Sequence, residues 1–283
     1  MVLDVLLPSL AVVTLIVASY TDLKHREVPD WLNYGLIFAA LGLRTLFSLE
    51  LGWPVLLSGI LGFVVCFLLA CLFYYTNQWG GGDSKLLMAM GAIIGIRYPF
   101  DASSFQLLWF FAALLFLGAI YGILWMGYLA ITQRKKFVPV MVKIIKRHNK
   151  VHISLMLLSG AFLLLSFFHS LFWPLTFFPL ALFYLLTLVN GVEESCFVRK
   201  IDPLSVTEGD WLAEDVVVNA KPVVSKKTLE MKEIRLLQSL KAQGKLKYIL
   251  IKEGIPFVPS FLLAYLVNLF GKGFFTSFFS FLL

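Results

Sequence analysis

Residues 54–75 read PVLLSGILGFVVCFLLACLFYY, a stretch of 22 residues without a charged side chain. A helix needs about 20 mainly apolar residues to cross the hydrocarbon core of a bilayer. The stretch therefore predicts a transmembrane helix. The whole composition agrees, since 59% of the 283 residues are hydrophobic, 14% are charged and 27 are phenylalanine. Ordinary soluble domains carry roughly a quarter charged residues.

Apolar segments on both sides of this stretch predict seven further spans. The fourth of the eight is short, and only residues 172 and 173 separate the sixth from the seventh, so we expect six to eight crossings. The predicted fold class is an all-α integral membrane helix bundle. The predicted spans cover residues 3–20, 31–49, 54–75, 84–98, 105–131, 152–171, 174–190 and 256–279.

The positions of the basic residues predict the orientation of the bundle. Lysine and arginine collect on the cytoplasmic side of membrane proteins. With the N-terminus outside and eight crossings, all but Arg44, Arg97 and Lys272 of the 24 Lys and Arg residues fall on that side. The pI near 9.2 then reflects topology, and we expect no nucleic acid partner. We predict a multi-pass plasma membrane protein whose basic cytoplasmic rim attracts anionic lipid head groups.

Residues 192–254 form the only sizeable soluble segment of this predicted topology. Turn residues occur around 202–210, an apolar stretch lies within 214–219, leucines recur at helical spacing over 229–240, and a strand-like run covers 247–251. We expect a small cytoplasmic α+β segment. The predicted organisation is a membrane core at residues 1–191, the soluble segment at 192–254 and a C-terminal transmembrane helix at 255–283.

The absence of several motifs excludes the kinds of site that depend on them. The three cysteines form no CxxC pair, which excludes a disulfide scaffold and a four-cysteine zinc module. The four histidines are scattered, there is no HExxH motif, and the glycine run at 80–85 lacks the GK[ST] ending of a phosphate-binding loop. We therefore expect neither a metal nor a cofactor.

Two aspartates at the ends of predicted spans are the candidate catalytic groups. Asp22 ends the first span and Asp83 opens the fourth, on the same side of the membrane. A carboxylate near hydrocarbon is costly unless it has a function or reaches water. Each also has an ordinary interpretation, Asp22 as a solvated boundary residue and Asp83 as a helix cap. Asp30 follows Pro29 at a predicted helix start, so we interpret it as a cap.

Taken together, the two carboxylates suggest acid–base chemistry. Two aspartates in close contact cannot both ionise, so one stays protonated as a general acid while the other activates water. This is the arrangement of an aspartic protease, and it requires no metal. Gly80, Gly81 and Gly82 precede Asp83, and their lack of side chains lets an extended peptide approach the carboxylates closely.

These motifs resemble a known family. Residues 80–86, GGGDSKL, resemble the GxGD-x-K-L signature of the type IV prepilin peptidases, and residues 21–30, TDLKHREVPD, resemble their first motif. Asp30 stands where that motif commonly has asparagine. Residues 208–212 and 253–259 are similar to the C-terminal region of an archaeal subgroup. Because the chain lacks the zinc-cysteine region of the bifunctional bacterial members, it resembles the archaeal preflagellin and prepilin peptidases.

The resemblance implies that Asp22 and Asp83 form the catalytic dyad of a membrane aspartic endopeptidase. It implies that the glycines bind the substrate backbone. Lys85 then either orients or electrostatically tunes the pair, or is an ordinary lysine that snorkels to the membrane surface. The implied substrate is the class III signal peptide, a short leader, of a pilin-like or archaellin precursor, cut at the cytoplasmic membrane boundary. Because Asp83 opens a helix, where the macrodipole favours a negative charge, we expect it to act as the base and Asp22 as the acid.

Two other functions stay open at this point. A presenilin-type intramembrane protease shares the GxGD aspartate, but it usually carries a Pro-Ala-Leu element in its last helices, which this sequence lacks. A non-enzymatic transporter would use the aspartates to relay protons or ions. Transporters usually show repeat symmetry between their halves, and none is visible here.

Overall fold

The computed structural model describes residues 2–76, 78–218, 221–225 and 227–271, and helices dominate these ranges. Short strands occur only after the eighth helix among the residues described. The helices are α1 (Leu3–His25), α2 (Asp30–Leu51), α3 (Pro54–Tyr75), α4 (Gly81–Ile94), α5 (Gln106–Thr132), α6 (Arg134–Arg147), α7 (Asn149–Ser166), α8 (Phe172–Ser195), α9 (Met231–Ala242) and α10 (Val258–Phe270).

Six of these helices, α1, α2, α3, α5, α7 and α8, are long and apolar enough to cross a membrane. α10 is apolar but shorter, and residues 272–279 of the last predicted span lie outside the described residues. α4 has 14 residues, a length of about 21 Å, whereas the hydrocarbon core is about 30 Å thick. The predicted class, a membrane helix bundle with six to eight spans and a small α+β segment, is confirmed.

The fourth predicted span ends earlier than expected. α4 stops at Ile94 rather than at residue 98, because Gly95 adopts a left-handed φ of 72°. Most residue types avoid this conformation, whereas glycine adopts it freely and often ends a helix. α6, by contrast, forms a helix between the fifth and sixth predicted spans, where the sequence predicted no element.

The chain divides into two compact units, Met1–Gly122 with Ile255–Leu283, and Ile123–Gly254. In the first unit, α3 and α4 cross closely because a glycine of each helix meets the backbone of the other. A side-chain carbon on Gly62 would overlap the backbone oxygen of Gly91, and one on Gly91 would overlap that of Gly62. Close backbone approach of this kind is typical of helix pairs in membranes.

A buried arginine of α2 holds the far end of α4. Arg44 is only 6% exposed, and its guanidinium donates hydrogen bonds of 2.8–3.3 Å to the carbonyl oxygens of residues 92–94. It also donates to the carbonyl of Val55 and the hydroxyl of Ser58 at the start of α3. The last carbonyls of a helix have no partner within the helix, and a bilayer core supplies none. Arg44 therefore allows α4 to end short of a full span.

The second unit contains a membrane hairpin and the small α+β segment. α7 packs along α8, and α6 packs against α8, where the ring of Phe137 lies against Gly191. The segment contains the antiparallel sheet β1 (Val198–Ile201), β5 (Ile249–Lys252), β2 (Trp211–Leu212) and the hairpin of β3 (Val216–Val218) with β4 (Lys221–Val224). Its predicted helix and final strand correspond to α9 and β5. The predicted boundaries at 191 and 254 stay a prediction.

Candidate active site

Asp22 lies on the buried face of α1. The buried residues of this helix recur at three- and four-residue spacing, and Asp22 extends that stripe after Ala18 and Ser19. Because Asp22 is only 7% exposed, the interpretation as a solvated boundary residue is wrong. One turn later, Arg26 takes a left-handed φ of 61° and ends the helix, so the chain turns away directly after the carboxylate.

The carboxylate of Asp22 is held by the start of α10. The backbone N–H of Val258 donates a buried hydrogen bond of 2.9 Å to Oδ2 of Asp22. Val258 is the first residue of α10, where backbone N–H groups lack partners within the helix and the macrodipole attracts negative charge. Since Val258 has no exposed surface, water does not compete for this hydrogen bond.

Asp83 lies in the first turn of α4, after Gly80 at the N-cap position. Its side chain is half-buried, and its carboxylate is close enough to Asp22 for the two charges to interact. Asp83 is not the cap itself, because Gly80 occupies that position. The structure thus brings the two predicted aspartates, from separate helices, into one site.

The three glycines before Asp83 leave space that the surrounding protein does not fill. None has a positive φ, and a side-chain carbon on Gly80 or Gly81 would meet its nearest neighbour at 3.8 Å, an ordinary contact distance. Only Gly82 packs more closely, against Val28 at 3.4 Å. Neither backbone strain nor internal packing therefore requires glycine at positions 80 and 81, and the bare backbone stays accessible beside the carboxylates.

An aromatic cluster connects α10 to the glycine run. The ring of Trp79 contacts those of Phe257 and Phe261, with centroids 5.5 and 5.7 Å apart. The ring of Phe257 fits only because Gly118 has no side chain, since a carbon there would lie 2.6 Å from the ring. Phe257 precedes Val258 and Trp79 precedes the glycines, so this packing fixes the start of α10 beside both aspartates.

Comparison with known proteins identifies the region that holds this site. Residues 9–123 match the type IV leader peptidase family. The match covers about two fifths of the chain and contains Asp22, Asp83 and the glycine run. It confirms the family resemblance expected from the motifs.

Curated relatives agree with the family match. The chain is similar to the preflagellin peptidases of Methanococcus voltae, with 37% identity over 81 residues, and of Methanococcus maripaludis, with 35% over 85. It is also 39% identical over 85 residues to the preflagellin peptidase of Methanocaldococcus jannaschii. Each alignment covers 28% of this chain and 34–35% of the relative. The chain thus spans about a third of the length of these relatives.

Within the matched region, Lys85 contacts Asp30. Its ammonium donates a hydrogen bond of 2.6 Å to Oδ1 of Asp30 and lies 5.5 Å from the ring centroid of Tyr34. Asp30 is the first residue of α2 and Pro29 occupies the N-cap position, so the prediction that Asp30 caps the helix is wrong. The ammonium of Lys85 satisfies this carboxylate instead.

Two further contributors to the site escape the sequence analysis. Val258 acts through its backbone N–H, which every residue except proline has, so the residue type at position 258 does not indicate its contact with Asp22. Asn33 is fully buried and its amide lies 3.5 Å from the carbonyl oxygen of Gly82. A polar amide inside a predicted span was the available signal for Asn33. Among the described residues, no three His, Cys, Asp or Glu side chains are grouped to hold a metal ion.

Proposed function

We propose that this chain is a membrane aspartic endopeptidase that removes the leader peptide from type IV pilin-like or archaellin precursors. The observation that supports the proposal is the proximity of Asp22 and Asp83, from separate helices, inside the region that matches the type IV leader peptidase family. The names of the three relatives support a preflagellin-type substrate.

In the proposed mechanism the two carboxylates share one proton. The ionised carboxylate takes a proton from a water molecule, whose oxygen attacks the carbonyl carbon of the scissile peptide bond. The protonated carboxyl group donates its proton to the carbonyl oxygen, which gives a tetrahedral diol. As the C–N bond breaks, the carboxyl group that took the proton from water passes it to the departing amine, and a hydroxyl of the diol returns a proton to the other carboxylate. The N–H of Val258 holds Oδ2 of Asp22, so this carboxylate keeps a fixed orientation towards the water.

The roles of acid and base belong to the pair. The macrodipole argument that assigns the base to Asp83 applies equally to Asp22, because Asp83 lies in the first turn of α4 and Asp22 lies beside the start of α10. Two coupled carboxylates titrate as a unit, so we propose a shared proton rather than a fixed assignment.

The glycine run is the proposed binding site for the substrate backbone. Gly80 is exposed, and the space beside Gly80 and Gly81 is not used by internal packing. An extended leader lies there with its peptide bond next to the dyad. Asp30 contributes little attraction to a basic leader in this arrangement, because Lys85 already pairs with its carboxylate. Lys85 then supports the site by fixing the start of α2 rather than by touching the dyad.

The proposed location is the plasma membrane, with the N-terminus outside and the dyad at the cytoplasmic face. The basis is the distribution of lysine and arginine, which a membrane protein retains on the cytoplasmic side. A leader that emerges from the bilayer on that side is extended and accessible to the carboxylates. Membrane lipids are the second proposed partner.

Cleavage of an archaellin precursor in membranes tests the proposal directly. Wild type is compared with Asp22→Asn, Asp83→Asn and Asp30→Asn at equal protein level. Asparagine keeps the shape of aspartate but cannot shuttle a proton, so we expect the shortened product to disappear with the first two variants. Asp30→Asn is the matched control, because it removes a carboxylate of the same region and is expected to cleave almost normally.

The products distinguish the competing functions. Mass spectrometry of the shortened precursor gives the position of the cut, which we expect at the leader boundary. A cut inside the apolar helix would favour a presenilin-type protease. Cleavage that survives both Asp22→Asn and Asp83→Asn would refute the proposed dyad.

A further inference from the structure

α6 carries a concentration of positive charge that the proposed peptidase does not use. Residues 134–150 contain seven basic side chains, all exposed, and no acidic residue occurs between positions 102 and 192. None of the seven forms an ion pair with another residue that the structure describes. The seven are Arg134, Lys135, Lys136, Lys143, Lys146, Arg147 and Lys150.

α6 also has more apolar surface than its neighbours cover. Phe137 and Ile144 are buried on the side of the helix that packs against α8. Val138 and Val142 lie one turn apart at the edge of that apolar side, and they are 52% and 44% exposed. Beyond them around the helix lie the cations. Seen along its axis, α6 therefore has an apolar side, part of which no neighbouring helix covers, and next to it a side lined with cations.

The connections of α6 hold it at a membrane surface. α5 ends at Thr132 and α7 begins at Asn149, so single residues, Gln133 and His148, join α6 to helices that are each long and apolar enough to cross a membrane. A helix tied at both ends to spans lies where those spans leave the bilayer. Basic amphipathic helices at this depth bury their apolar side at the edge of the acyl chains, while their cations reach the head groups.

We propose that α6 is an interfacial helix whose cationic face binds the phosphates of anionic phospholipid head groups. Val138 and Val142 insert at the head-group boundary, and Lys136, Lys143 and Arg147, which lie along one stripe of the polar face, meet the negative charges. Anionic lipid is the occupant that satisfies both sectors, because it offers acyl chains to the valines and phosphates to the cations. The inference does not depend on the peptidase activity.

Lipid titration of the purified full-length chain tests this site. Short-chain phosphatidylglycerol or phosphatidylcholine is added to the protein in neutral detergent, and backbone hydrogen exchange is followed by mass spectrometry. We expect phosphatidylglycerol to slow exchange within residues 134–147 at concentrations where phosphatidylcholine has no effect. Each cation near an anionic surface contributes roughly a fivefold factor to binding, so Lys136→Gln, Lys143→Gln and Arg147→Gln together weaken the response on the order of a hundredfold.

A matched control removes the same charges elsewhere. Lys232→Gln, Arg235→Gln and Lys247→Gln replace two lysines and one arginine, all exposed, in the α+β segment, and we expect this triple variant to respond like wild type. The single variant Lys143→Gln, expected to lose roughly fivefold, keeps the test usable if the triple variant folds poorly.

Three outcomes would overturn the inference. Equal protection by phosphatidylcholine would mean that apolar insertion alone holds the helix. An unchanged response of the α6 triple variant would place the lipid elsewhere. Protection by inorganic phosphate at the same concentration would identify a free-anion site rather than a membrane surface.

Discussion

Two short helices, α4 and α10, begin beside the two aspartates, but each meets its carboxylate by a different route. Asp83 belongs to the first turn of α4 itself. α10 offers its first backbone N–H, from Val258, to a carboxylate on another helix, α1. The first arrangement depends on neighbours in sequence, whereas the second depends on where a distant segment is packed.

The other contacts of the two helices differ as well. The terminal carbonyls of α4 are held by the guanidinium of Arg44, and its middle is pressed against α3 at Gly91. The start of α10 is held by the rings of Phe257 and Phe261 against Trp79. α4 thus has an additional polar anchor at the end away from the aspartates, whereas the aromatic cluster of α10 lies beside them.

Removal of the arginine anchor is expected to have the largest effect. Arg44→Met leaves the carbonyls of residues 92–94 without donors, and each buried unsatisfied carbonyl costs about 1–3 kcal/mol. We expect the free energy of unfolding in detergent to fall by roughly 3 kcal/mol or more. Denaturant unfolding measures this. Arg97→Met, which removes an exposed cation, serves as the control. An equal loss of unfolding free energy in both variants would contradict the role of Arg44 in holding α4.

The next largest effect is expected where α3 and α4 cross at Gly62 and Gly91. Gly91→Ala places a carbon into the backbone oxygen of Gly62 and against Cys66, and overpacking of this kind costs about 1–3 kcal/mol. Gly42→Ala is the control, since nothing lies within 4 Å of the added carbon, and alanine there is neutral or slightly stabilising. Similar thermal unfolding midpoints for the two variants would show that α3 and α4 are not in close contact.

The hydrogen bond from the start of α10 to Asp22 is tested by replacing one backbone N–H. Incorporation of the α-hydroxy analogue of valine at position 258 turns this amide into an ester and removes the donor to Asp22. A hydrogen bond to a charged group is worth about 1.5–3 kcal/mol, so we expect kcat for precursor cleavage to fall roughly ten- to hundredfold, with KM little changed.

The control for that experiment is an ester at Ser260, whose N–H donates to the carbonyl of Phe257 within the same turn. It removes one hydrogen bond of α10 without touching Asp22. If both esters lower kcat equally, Val258 stabilises the helix and does not orient the dyad.

The smallest effect is expected at the surface of α4. The Lys85–Asp30 pair is partly exposed, with 30% and 61% of the side chains accessible, and exposed ion pairs contribute about 0.2–1 kcal/mol. We expect Lys85→Gln to change stability and cleavage little. A double-mutant cycle with Asp30→Asn measures the coupling, and a coupling energy well above this range would show a larger role for Lys85.

The contrast between the two helices also explains what the sequence can predict. Asp83 and the glycines are consecutive, so a local pattern was sufficient to find them, and Asp22 follows an apolar stretch whose length is readable. The hydrogen bond of Val258 joins two residues 236 positions apart through a backbone atom, and no residue pattern encodes that. The early end of α4 depends likewise on Arg44, a residue about 50 positions earlier, which the sequence analysis noted only for its charge.

The hydrogen bond between Val258 and Asp22 also determines when the site can form during synthesis. Ribosomes add about 5–20 residues per second, so roughly 10–50 s separate the synthesis of Asp22 from that of Val258. Through that interval α2 to α9 are made while the carboxylate still lacks its backbone donor. A newly made chain therefore completes its site only when α10 enters the membrane, after the hairpin and the α+β segment have left the ribosome.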